Sequence, residues 1–169
     1  MAKLITALLA LAIFAGLVAL ATAAWRRRRK DQAVGFSAPA EGLAGFDSVE
    51  NNSVSAVQAQ YVATTIAGEP LNRVTAYGLG FRGRATVFAG EAGIVIDRKG
   101  ERALAIAADQ IGDVNFVQAV IDRAVEKEGL VAINWLQDQT ELTTVLRFNS
   151  AADRNAILQA SSALTRKAI

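Results

Sequence analysis

The hydrophobic pattern of the chain changes period three times. Leu4 to Trp25 is an uninterrupted apolar run, with Thr6 and Thr22 its only hydroxyl side chains. At ~1.5 Å per residue its 22 positions reach ~33 Å as a helix, enough to cross a hydrocarbon core of ~30 Å. The run is apolar all round and shows no amphipathic stripe, so it reads as a lipid-facing span rather than a core helix. From residue 57 short alternating segments take over. They predict seven strands, near 57–66, 84–89, 93–98, 102–107, 111–119, 130–136 and 140–148. Gly90-Glu91-Ala92, Lys99-Gly100-Glu101 and Asp138-Gln139 are the turns between them. After Phe148 the period lengthens. Ser150 stands as an N-cap with Asp153 three residues on, and Ile157, Leu158 and Leu164 fall on one face of a helix over about 150–165.

Arg26-Arg27-Arg28-Arg29-Lys30 follows the apolar run at once, with Trp25 at the place of an interfacial aromatic. Five cations on one side against Lys3 on the other predict an uncleaved anchor with its N-terminus outside and its C-terminal domain in the cytoplasm, in the inner membrane. A cleaved signal peptide is the competing reading, since Ala21-Thr22-Ala23 resembles a small-residue cleavage site. The run exceeds a usual signal core of about 7–15 residues, however, and the five cations would have to cross the membrane. The cluster itself reads as a stop-transfer signal or as a contact for anionic headgroups; either way the bilayer is a partner.

Three segments result. Residues 1–30 are the anchor and its basic cluster, residues 31–56 a flexible linker, and residues 57–169 a folded domain. Gly35, Ser37, Pro39, Gly42, Gly45, Ser48 and Asn51 to Ser53 break every period in the linker, where Phe36, Leu43 and Phe46 are scattered apolar residues able to touch membrane or domain.

Charge and composition narrow the chemistry. Lys3 and residues 26–30 carry 6 of the 18 cations, whereas residues 57–169 hold 12 Lys plus Arg against 12 Asp plus Glu. A neutral domain argues against nucleic acid as a partner. The absence of cysteine and histidine removes disulfides, thiolate chemistry, the commonest general base and the usual zinc ligands. No cofactor, metal site or catalytic residue is expected, and the carboxylates fall in turns.

Gly78-Leu79-Gly80-Phe81-Arg82-Gly83 matches the dinucleotide fingerprint in letters only, because a strand follows where that motif requires a helix. A long loop with close backbone packing is one reading. The other is an anion site formed by Arg73, Gly78, Gly80, Arg82, Gly83 and Arg84, with loop amides turned outward. Trp135 shares its strand with Val131 and Ile133, and reads as core or as part of a partner-binding face.

Seven antiparallel strands and one C-terminal helix match the layout of a pleckstrin-homology-like (PH-like) domain, a bent sheet capped by a helix. Tyr61-Val62-Ala63-Thr64-Thr65, Ala67-Gly68-Glu69-Pro70-Leu71, Tyr77 to Ala85, Gly129-Leu130-Val131 and Leu146-Arg147-Phe148 resemble a narrower group. These are small actinobacterial single-pass membrane proteins with a bacterial PH-like domain, often labelled transporters or export proteins and commonly encoded beside pyrimidine-biosynthesis genes. The resemblance implies a fold and a location, and carries no functional residue. Three functions stay open: a non-catalytic module that recruits a partner protein or self-associates, a sensor of an anionic metabolite or headgroup, and an accessory subunit of a transport or export complex.

The orientation is directly testable. A reporter fused after Ile169 is expected to be cytoplasmic and protected from protease in spheroplasts, and neutral replacements of Arg26 to Lys30 are expected to weaken that orientation.

Overall fold

The computed structural model describes residues 2–43, 55–117 and 130–165. It opens with α1, Ala2–Gly35, whose stretch from Ile5 to Arg27 is long and apolar enough to cross a membrane and is exposed along its length. Eight strands follow: β1 Ser55–Ile66, β2 Glu69–Arg73, β3 Gly83–Gly90, β4 Gly93–Arg98, β5 Leu104–Ala107, β6 Ile111–Val117, β7 Leu130–Gln137 and β8 Thr140–Phe148. Helix α2, Ala151–Thr165, closes the described chain. The seven predicted strands are present, and the fold is the mainly antiparallel PH-like sheet with a C-terminal helix. The additional strand, β2, contains Pro70 and pairs with β1 only through Thr65–Arg73 and Ile66–Glu69, an edge position that tolerates proline.

The sheet runs β5-β4-β3-β1-β8-β7-β6, every neighbour antiparallel, with β2 beside β1. Strand β1 is the spine. Its first half pairs with β3 over Ser55 to Tyr61, and its second half with β8 from Ala59 to Ile66. The β8 register slips between Tyr61 and Ala63. A bulge there shifts the side-chain phase by one. Val57, Ala59 and Tyr61 point inward before it, and Thr64 points inward after it, onto Tyr61.

The core is built from both halves of the sheet, with Val87, Ile94, Ile96, Ile106, Val131, Ile133, Leu142 and Leu146 fully enclosed. Helix α2 packs on β6, β1 and β3. Its start follows the predicted cap, as the Ser150 hydroxyl accepts the Asp153 amide at 3.0 Å. Ile157 is fully buried and Leu158 half-buried against the core, while the side chain of Leu164 lies outside the described residues.

The described part of the expected 31–56 linker, residues 31–43, differs from expectation. Helix α1 continues through residues 31–35. Residues 35–43 then form a strap laid on the domain rather than a free tether. Phe36 is buried, Ala105 donates its amide to Ala40 at 2.8 Å, and Arg102 pairs with Glu41 at 2.9 Å. The strap escapes sequence patterning because its contacts are tertiary. Phe46 lies outside the described residues.

Substitution in α2 tests the packing. Ile157→Ala is expected to cost ~2–5 kcal/mol in denaturant unfolding, and Ile157→Asp more, with Leu158→Asp intermediate. Equal unfolding midpoints for all three variants and the parent would show that the helix is not packed as described.

Candidate functional site

The site is the place where strap, loop and sheet meet. The segment from Val74 to Arg82, between β2 and β3, contains a 3-10 turn at Ala76–Gly78. It is held from inside by a hydrogen-bond chain whose direction follows from counting protons. The Trp135 indole N–H donates to the Thr144 hydroxyl at 2.9 Å, and the Tyr61 hydroxyl donates to the Leu79 carbonyl at 2.8 Å. Thr144 and Thr64 lie 2.7 Å apart, and Thr64 and Tyr61 2.6 Å apart. Tyr61 has one proton and has given it to Leu79, so it accepts from Thr64. Thr64 therefore accepts from Thr144, and Thr144 from Trp135. The run Trp135, Thr144, Thr64, Tyr61, Leu79 is thus a single donor-to-acceptor file across the buried core. The second lone pair of the Leu79 carbonyl takes the Thr64 amide at 2.9 Å. Burial pushes the Tyr61 phenol up to about 12, only partly opposed by the Thr64 bond and the nearby Arg98 charge.

Arg98 is the second brace. Alternation along β4 places it on the same inward face as Ile94 and Ile96, and it is buried. Its Nη1 donates to the Gly78 carbonyl at 2.7 Å, and Nε and Nη2 to the Arg102 carbonyl at 3.0 and 2.7 Å. The guanidinium also lies 5.0 Å from the centre of the Tyr61 ring. Carbonyl dipoles and an aromatic face thus replace a carboxylate partner, and the charge ties both loops to the core.

From outside, the strap binds the same loop. Tyr77 adopts φ 54°, a left-handed conformation unfavourable for a bulky residue. That conformation is accompanied by two contacts to Phe36: a hydrogen bond from its hydroxyl to the Phe36 carbonyl at 3.0 Å, and an edge-on ring contact at 5.7 Å. Beside them the Ser37 amide donates to Asp138 Oδ2 at 2.6 Å, holding that exposed carboxyl below the usual aspartate range, and Gln137 donates to the Ser37 hydroxyl at 3.0 Å. At the end of α1 the Thr140 hydroxyl donates to the Gly35 carbonyl at 3.2 Å. Strap, loop and the β4–β5 turn enclose a cleft of about 620 Å³, lined among others by Pro39, Glu41, Leu79, Arg98, Glu101 and Arg102. Its charged groups are two carboxylates and two guanidiniums, of which Arg98 is committed to the loops and Arg102 to Glu41.

The arginines singled out in the sequence do not converge. Arg73 pairs with Thr65 and Arg84 with Gln60, five positions apart along β1, or about 17 Å at ~3.4 Å per residue. Arg82 is exposed, and Gly83 and Arg84 open β3. Gly78, at φ 71°, ends the 3-10 turn. At Gly80 a Cβ would come within 2.9 Å of the Val74 carbonyl oxygen, so close packing requires glycine there. The Leu79 and Phe81 amides donate to Ala76 and Gly78 inside the loop, leaving neither turned outward. Trp25 stands on α1 with its ring 6.5 Å from that of Phe81. Arg26 and Arg27 are exposed; Arg28, Arg29 and Lys30 are helical, with side chains outside the described residues. Trp135 is a core residue. The sequence pattern assigns no role to Tyr61, Thr64, Thr144 or Arg98, whereas Phe36, expected to touch membrane or domain, is buried against the domain. The alternation of β4 was the one signal available, and it points Arg98 inward.

Comparison with known proteins fits this architecture. A family profile described as Bacterial PH domain-like matches residues 43–162. No curated protein sequence matches the chain. Among solved structures, a chain of "The 8S snRNP Assembly Intermediate" aligns at 9% identity and a TM-score of 0.45, over 77% of this chain and 87% of its own length. A likeness at that level carries no functional argument.

The Tyr61 hydroxyl is open to test. Tyr61→Phe leaves the Thr64 proton without its acceptor and is expected to cost ~1–3 kcal/mol at neutral pH. The folded phenol titrates above the unfolded one, so its contribution is complete below pH ~10 and is lost as pH rises through about 12. Between those values the parent is expected to lose ~2–3 kcal/mol more than Tyr61→Phe, read from parallel denaturant titrations.

Proposed function

The chain belongs to the bacterial PH domain-like family, and we propose that it acts as a membrane-mounted, non-catalytic interaction module. In this reading α1 spans the cytoplasmic membrane, the five cations keep the domain on the cytoplasmic side, and the domain recruits or assembles a partner protein there. One observation carries the reading. Helix α1 runs without a break from its apolar span to Gly35, and the strap that follows is bonded into the domain. The domain is therefore presented from a fixed mount, which favours a device for positioning a partner over one that searches on a loose tether.

The geometry also weighs against the anion-sensing alternative. Arg73 and Arg84 lie against separate positions of β1, and two of the loop amides it needs are used internally. The surface offers separate apolar contact points instead: Leu71 on β2, Phe116 on β6 and Leu136 on β7 are exposed.

Crosslinking in native membranes, followed by capture of the full chain, tests this. Aspartate placed singly at Leu71, Phe116 or Leu136 is expected to abolish partner capture at one position or more, and the double change Arg82→Ala with Arg84→Ala to leave it intact. Saturable, salt-sensitive binding of a soluble anion that is lost in the double variant would replace recruitment with sensing.

A further inference from the structure

We propose that Phe81 is a second point of contact with the bilayer, seated in the interfacial layer beside Trp25, so that the tip of the Leu79–Arg82 loop rests on the membrane. The inference builds on the membrane-mounted reading and adds the surface by which the domain faces the lipid.

Two contacts set the lie of the domain along α1. Gly35, at the end of the helix, is bonded by Thr140, the first residue of β8 beside the β7–β8 turn. Ten residues earlier, or about 15 Å back along the helix, Trp25 meets Phe81 edge-on. Trp25 lies within the Ile5–Arg27 stretch, two residues before its end, where amphipathic aromatic rings settle at the headgroup level. The β7–β8 turn is therefore far from the bilayer and the Phe81 loop is at it.

The residue at that tip suits the location. Phe81 is 46% exposed, a large apolar ring with nothing to gain from water. Exposed Arg82 follows it, and exposed Arg26 and Arg27 follow Trp25, so both aromatic rings carry cations on their chain neighbours. An apolar ring flanked by cations complements an interface of acyl chains beneath anionic headgroups.

The loop is also unable to withdraw the ring. The Leu79 side chain is buried and its carbonyl is held by both Tyr61 and Thr64. The Gly78 carbonyl is held by Arg98, and Gly80 is packed against the Val74 carbonyl. The exposure of Phe81 is thus fixed by the braces beneath it.

The chain contains no cysteine, so single cysteines report without a background. Phe81→Cys, Leu17→Cys and Glu91→Cys are each made in the full chain, labelled with a polarity-sensitive fluorophore, and reconstituted in vesicles of phosphatidylglycerol and phosphatidylethanolamine. Glu91 follows β3 at the end opposite Gly83, about 25 Å away along the strand. Lipids brominated near the glycerol backbone are then introduced as quenchers. Phe81→Cys is expected to show blue-shifted emission and strong quenching, Glu91→Cys neither. If the Phe81→Cys label behaves like that at Glu91 while Leu17→Cys reports lipid, the second contact is overturned and the anchor stands. If Leu17→Cys also reports water, the membrane-mounted reading itself is overturned.

Discussion

The file of hydroxyls from Trp135 to the Leu79 carbonyl is the constraint on which the rest of the molecule depends. A loop with glycines at 78, 80 and 83 has little intrinsic order, and a free loop of that composition would leave the domain without a surface to mount on. Four buried side chains from β7, β8 and β1 fix one carbonyl of it, and Arg98 from β4 fixes the carbonyl before. Such a network is favourable only when every member is satisfied. The proton count shows that each hydroxyl here donates once and accepts once.

The outer face of the same loop then becomes a bearing surface. Tyr77 takes up Phe36 from the strap, and Phe81 takes up Trp25 from the helix. Exposed polar links such as Arg102 to Glu41 add little stability by themselves, but they lie along the strap's path over the domain. For a recruiting module the consequence is geometric. In the proposed role, a rigid mount would confine the binding surface to one height and one attitude above the membrane, and would raise the effective concentration only for partners that approach from a compatible direction.

Much of this was legible in the sequence, and the residues show why. The strand limits follow from turn chemistry at Gly90-Glu91-Ala92, Lys99-Gly100 and Asp138-Gln139, and α2 from the Ser150 cap, all local signals. A helix long and apolar enough to cross a membrane follows from composition. What escaped depends on distant partners. Residues 35–43 look like linker because they have no period, yet Tyr77 reaches Phe36 across 41 positions and Asp138 reaches Ser37 across 101. Strand β2 is absent from the predicted strands because Pro70 interrupts its short segment, and only the far half of β1 gives it a partner. The arginines near the glycines in sequence are not all neighbours in the fold. Folding spreads Arg73 and Arg84 along β1, while Arg98, some distance away in sequence, is brought beneath the loop.

The central claim is that helix and domain form one mounted unit. It is tested most directly by a pulsed electron–electron distance measurement on the full chain in lipid nanodiscs. One nitroxide is placed at Ala24→Cys at the membrane end of α1, and another at Glu91→Cys on the domain. The account predicts a single narrow distance distribution, preserved in the parent background and broadened when Phe36 and Tyr77 are both replaced by alanine. A broad distribution in the parent background, of the width expected for a flexible coil between anchor and domain, would contradict it.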